Sequence, residues 1–140
     1  MARSEDTLPA RGTALTVVSW VLQVIGAGLF LLMGFGKVAG WPDFITTFEN
    51  IGAGQWLRYF VGVAELAGGI GVLIPRLAGL AASGLTLVVV GAALTHLVIL
   101  QDSGWVLPVV LIVLMGALAW IRRAETASLP SYLRGLLGRG

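Results

Sequence analysis

Long uncharged runs decide what this chain can become. Four apolar segments stand out, at about 14–36, 56–74, 77–100 and 105–121. Each is near the roughly 20 residues that a helix rising about 1.5 Å per residue needs to cross a hydrocarbon core of about 30 Å. Only 11% of the 140 residues are charged and 57% are hydrophobic, against about 25% charged in an ordinary soluble domain. Backbone polar groups in hydrocarbon must find partners within their own segment. The expected fold is therefore all-α, a polytopic four-transmembrane-helix bundle over residues 13–122.

The connections constrain the arrangement further. The first run is longer than the roughly 7–15 apolar residues of a signal peptide, so it is kept as a helix although Val38-Ala39-Gly40 imitates a cleavage site. The second stops at Pro75-Arg76, and so short a turn makes the second and third helices an antiparallel hairpin. Pro108 falls in the first turn of the fourth, where a missing N–H costs least, and Trp105 and Trp120 bracket that helix as interfacial anchors. Between the first two spans, WPDFITTFENIG places Phe44, Ile45, Phe48 and Ile51 on one face. This predicts a short interfacial helix over about 43–51, roofing the bundle on the outer leaflet.

Arginine distribution sets the expected orientation. Arg3, Arg11, Arg76, Arg122, Arg123, Arg134 and Arg139 share one side if there are four crossings, whereas the other holds only Lys37 and Arg58 beside Asp43, Glu49 and Asp102. Both termini are expected to be cytoplasmic. Residues 1–12, with mixed charge and a proline, are expected to be disordered. Residues 123–140 form a basic amphipathic tail whose Tyr132, Leu133, Leu136 and Leu137 alternate with Arg134 and Arg139, suited to anionic lipid or to a partner.

One residue conflicts with its surroundings. In VGVAELAGGIGVLIP, Glu65 lies among apolar side chains, glycine and proline. With Trp56 at the outer interface, Glu65 sits about 13 Å deeper, near mid-bilayer. A charge facing lipid at that depth costs about 2.5 kcal/mol or more, so Glu65 should face the bundle interior and find a cationic or hydrogen-bonding partner there. Arg58 lies two turns away on the same face, Lys37 closes the first helix on the outer side, and His96 lies about one turn below the outer end of the third. Gln23, midway through the first helix, is a neutral partner at the depth of Glu65. Lys37, Glu65 and His96 are the candidate proton-donor and hydrogen-bond cluster, with Gln23, Trp56 and Arg58 as ligand-binding candidates around it. The plainer alternative has Lys37 and Arg58 snorkelling to phosphates and Glu65 acting as a structural clamp.

Several chemistries are excluded at this stage. The chain has no cysteine and one histidine, so thiolate metal ligation, thiol redox chemistry and bis-histidine haem are ruled out, and one His with one Glu makes a poor metal site. A net charge of +2 is too slight an excess for nucleic-acid binding.

In order, FLLMGFGKVAG, the Phe-rich short helix, WLRYFVGVAELAGGIGVLIP and LAASGLTLVVVGAALTHL resemble the DoxX-like family of small bacterial membrane proteins. The marks are the G-x-x-K of Gly34–Lys37, the G-x-x-E-L-x-G-G of Gly62–Gly69, the closing Pro75, and Thr95-His96. The resemblance implies a four-helix bundle in the bacterial cytoplasmic membrane. For the family's namesake it implies a subunit of a thiosulfate:quinone oxidoreductase. Two functions are then expected of different kinds. One is a redox-linked membrane subunit holding a quinone-type ligand among Lys37, Glu65 and His96, with no cofactor bound by its own residues and electrons supplied by another subunit. The other is a non-catalytic accessory subunit that packs on a larger membrane complex through Gly-rich faces, the roof helix or the basic tail, besides its contacts with membrane lipids. A solute or proton conductor ranks last, because below Glu65 the second helix offers only Leu, Ala, Gly, Ile and Val.

Overall fold

A computed structural model describes residues 12–138. All regular elements among them are helical: α1 (Thr13–Ala39), α2 (Pro42–Ile51), α3 (Gln55–Val72), α4 (Pro75–Leu94) running into a π-helical turn (Thr95–Leu100), a single 3-10 turn (Ser103–Trp105), α5 (Val106–Ile121) and α6 (Arg123–Leu137). The expected disorder of the N-terminus concerns residues outside those described, apart from Gly12.

Two residues join α3 to α4, and five join the end of the π-helical turn that continues α4 to the start of α5, so consecutive helices run antiparallel. α1 packs against α3 and α5, and α4 packs against the same two, which closes a four-helix ring in the order α1, α3, α4, α5. Phe30, Val72, Leu85, Leu111, Met115 and Leu118 fill its centre. The outside remains apolar: Leu87 is 75% exposed, Val113 64% and Phe60 65%. Such a surface suits lipid, in which the hydrophobic effect no longer distinguishes the inside of a bundle from the outside and close packing takes over.

Among the described residues three helices are long and apolar enough to cross a membrane, Thr13–Ala39, Ala78–Leu100 and Ser103–Ile121. The fourth span expected from sequence coincides with α3, which has 18 residues and buries both Arg58 and Glu65. Those two charges set it apart from the other three. Its buried positions, Arg58, Gly62, Glu65, Gly69 and Val72, recur at steps of four and three and form a single stripe facing α1 and α4.

The α1 stripe carries an unusual pattern. Ser19, Gln23, Gly26, Ala27, Phe30, Gly34 and Lys37 are buried on one face, so that polar groups occupy both ends and apolar groups the middle. Hydroxyls elsewhere in the membrane segments bond back to their own helix, Ser83 Oγ to Gly79 O (2.8 Å), Thr86 Oγ1 to Ala82 O (2.7 Å) and Thr95 Oγ1 to Gly91 O (2.7 Å).

α2 forms where its pattern places it. Pro42 starts it, and Gly52 (φ 83°) ends it in a left-handed cap. The chain turns from α1 into α2 at Gly40, whose φ of 80° favours glycine. Phe48 is buried while Phe44, Ile45 and Ile51 are half-buried, the face expected to turn toward the bundle. The basic tail is helical over Arg123–Leu137, and the helix runs through Pro130.

Candidate functional site

α1 and α3 approach closely where both carry glycine. A Cβ on Gly34 would stand 2.8 Å from the Gly62 carbonyl oxygen, and one on Gly62 would stand 3.0 Å from Gly34 O and from Lys37 Cβ. That proximity sets Lys37, three residues after Gly34, against Glu65, three residues after Gly62. The Lys37 ammonium sits between the two carboxylate oxygens, 3.0 Å from Oε1 and 3.2 Å from Oε2. Its remaining side faces the Phe44 ring of α2, 4.3 Å from the centroid. Lys37 is 9% exposed and Glu65 4%. All three ammonium directions are thus used inside the molecule.

Arg58 belongs to the same region by a different route. Its guanidinium donates to the Lys37 carbonyl, its Nε donates to Gln55 Oε1 (2.6 Å), and it lies over the Tyr59 ring. Gln55 in turn donates to Ile45 O of α2 at 3.2 Å. Arg58 is 5% exposed, so it satisfies the C-terminal end of α1 as a buried group and does not snorkel.

Three of the residues expected near Glu65 lie elsewhere. His96 pairs with Asp102, Nδ1 to Oδ1 2.7 Å, across the π-helical turn. The Gly104 N–H also donates to Asp102 Oδ1 (2.9 Å), and together these bonds hold the Asp102 carboxyl below the usual carboxylate range. Trp56 is 63% exposed and donates to Ala53 O just before α3, so its ring lies on the outside of the bundle. Gln23 lies 14 residues before Lys37 on α1, about 21 Å along the helix axis. It is not at the depth of Glu65.

Gln23 instead belongs to a second buried polar cluster at the opposite end of the bundle. Arg122 donates through Nε to Ser19 Oγ (2.9 Å) and through Nη2 to Gln23 Oε1 (2.5 Å), while Ser19 Oγ donates to Gln23 Oε1 (2.8 Å). Gln23 Nε2 donates to the Val72 carbonyl at the end of α3 (2.8 Å). Ser19 and Gln23 are fully buried and Arg122 is 3% exposed. Sequence reasoning counted Arg122 among the loop charges and so missed this cluster. Its signal was the Ser19/Gln23 pair, one helical turn apart in an otherwise apolar segment.

The bundle therefore has two polar locks, one joining α1 and α3 near α2, the other joining α1, α3 and the α5–α6 junction. A shallow open groove of about 450 Å³ runs along residues 16–25 of α1, lined by Thr16, Val17, Trp20, Val21, Val24 and Ile25. It lies on the Arg122 half of that helix, away from Lys37. Among the described residues no group of three or more His, Cys, Asp or Glu could hold a metal ion.

A helical bundle with an apolar exterior, three segments able to span a bilayer and charges locked inside is a multi-pass membrane protein. The model of the DoxX-like family matches residues 21–118, well over half of the chain, and the protein belongs to that family. The matched stretch holds Lys37, Arg58, Glu65, His96 and Asp102 but ends before Arg122. No curated protein and no solved structure matches the chain.

Proposed function

We propose that this protein is a non-catalytic integral membrane subunit that packs on a larger, redox-linked membrane complex, and that the Lys37–Glu65 pair is an internal clamp shaping the packing surface. One observation carries this reading: the pair is closed on itself, with both carboxylate oxygens on one ammonium and an aromatic ring on the remaining side. A ligand would have to break an enclosed ion pair to reach either group. Gly84 and Gly91 of α4 have open space where a Cβ would stand, which suits close approach by a helix of another chain. The redox link rests on the family's namesake, a subunit of a thiosulfate:quinone oxidoreductase.

The arginines at the Arg122 end, Arg76, Arg122, Arg123 and Arg134, support placing that end and both termini in the cytoplasm of a bacterial inner membrane. A quinone-type ligand is the second reading. It is favoured by α2, which lies over Lys37 between left-handed glycines, Gly40 on one side and Gly52 and Gly54 on the other. In that reading α2 lifts, and a quinone carbonyl replaces Glu65 on the Lys37 ammonium.

Purification from native membranes, followed by mass spectrometry of what accompanies the protein, tests the proposal. A stoichiometric membrane partner without a bound quinone is the expected result. Recovery of a bound quinone without a protein partner, lost in Glu65→Gln, would replace the accessory role with the ligand-binding one.

A further inference from the structure

The chain passes from α5 to α6 through a single residue, Arg122, so α6 begins where a spanning helix ends. Two contacts hold α6 across the base of α4. The space in front of Gly79 is occupied by Thr126 and by the Arg122 backbone, and the Arg76 guanidinium lies 3.8 Å from the centre of the Tyr132 ring. At the same end Arg123 stacks on Trp120, 4.1 Å from the ring. Each of these arginine–aromatic pairs joins a ring and a cation in the combination that settles at the headgroup level of a bilayer. Beyond Tyr132 the helix presents Leu133, Leu136 and Leu137, 51%, 47% and 82% exposed, with Arg134 among them.

From this we infer that the last two turns of α6, residues 131–137, dock on anionic phospholipid of the leaflet in which α5 ends, with Arg134 at the phosphates and the leucines at the acyl boundary. Continuity selects the occupant. A segment tied at Thr126 and Tyr132 to the end of a membrane bundle has the bilayer surface beside it, and the exposed apolar side chains of α5 lead directly to that surface. Charge selects the lipid. Arg76, Arg123 and Arg134 are exposed at this end, and each basic residue near an anionic leaflet strengthens binding by about fivefold. Exposure points the same way, since three exposed leucines within the last two turns need apolar cover that water does not supply.

The absence of native cysteine makes the test direct. Full-length protein carrying Leu137→Cys, labelled with a polarity-sensitive fluorophore, is reconstituted in phosphatidylcholine vesicles with or without about 30 mol% phosphatidylglycerol, each containing shallow-brominated lipid. A second label at Leu80→Cys, exposed near the Arg76 end of the α4 span, confirms assembly by being quenched in both vesicle types. Strong quenching at residue 137 with phosphatidylglycerol is expected, with the ratio of docked to undocked label falling about fivefold in Arg134→Gln and further when phosphatidylglycerol is left out. A label in water under both conditions overturns the inference, and so does equal quenching in both. A label shielded from water yet not quenched by lipid overturns it in favour of a protein occupant.

Discussion

Removing the Lys37 charge while leaving Glu65 in place is the sharpest perturbation this bundle offers. In Lys37→Met the Phe44 and α1 packing survives, but the Glu65 carboxylate, 4% exposed at the middle of α3, loses the cation held between its two oxygens. Deleting one member of such a buried pair costs about 3–5 kcal/mol. Glu65→Leu leaves the opposite orphan, and the two cases are not symmetric. Lys37 is two residues from the end of α1, already faces Phe44, and has a stem long enough to carry its ammonium to the interface. Its cost should be smaller by about 1–2 kcal/mol, the worth of a desolvated cation–π contact. The double variant leaves no orphan, and replacing a buried ion pair by apolar groups of similar volume is about neutral. Thermal unfolding in one fixed detergent reads the three variants. With about 3 °C per kcal/mol for a chain of this length, Lys37→Met should fall by about 9–15 °C, Glu65→Leu by less, and the double variant should return to near the wild-type Tm. Additive losses in the double variant would refute the clamp, as would a Lys37→Met protein within about 1 °C of wild type.

Two further outcomes follow from the geometry. Gly34→Ala sets a methyl 2.8 Å from a backbone carbonyl that cannot yield, so it should separate α1 from α3 and destabilise the fold by about 1–3 kcal/mol. Gly84→Ala, with nothing within 4 Å, should be neutral or gain up to about 1 kcal/mol of helix propensity, and the same unfolding measurement distinguishes them. Asp102 has its folded pKa depressed by the bonds from His96 and Gly104, so its contribution is present above the unfolded value of about 3.9 and disappears as pH falls through the lower folded value. The Gly104 amide resonance should therefore titrate with a midpoint below about 3.9, and Asp102→Asn should abolish that titration; a midpoint at or above the ordinary value contradicts the bond.

What could be read from the sequence was whatever a single helix decides for itself. The cost of a charge at mid-bilayer requires Glu65 to turn inward whichever neighbour it meets, and Lys37, closing the first helix on the outer side, is one of the partners the sequence offers it. The face of α2 followed from its 3.6-residue periodicity in the same way. Partners drawn from other helices were less legible. Depth along α1 does not say which helix stands opposite, so Gln23 was assigned to Glu65 when its true neighbours come from the ends of α3 and α5.

Arg122 was hidden for a related reason. An arginine just beyond an apolar run satisfies the positive-inside pattern whether it faces phosphate or folds back beneath the bundle, and only the ring order of the helices separates these outcomes. His96 was displaced by a local event. A π-helical turn bonds each N–H five residues back instead of four, so a face projected at about 3.6 residues per turn no longer applies beyond Thr95. The turn closes at Gln101, a non-glycine residue at φ 51°, which brings Asp102 back to His96. The ring is thereby fixed to the α4–α5 connection. Among the candidate residues Glu65 pairs with Lys37, and that ion pair joins α1 to α3 at the α2 end of the bundle.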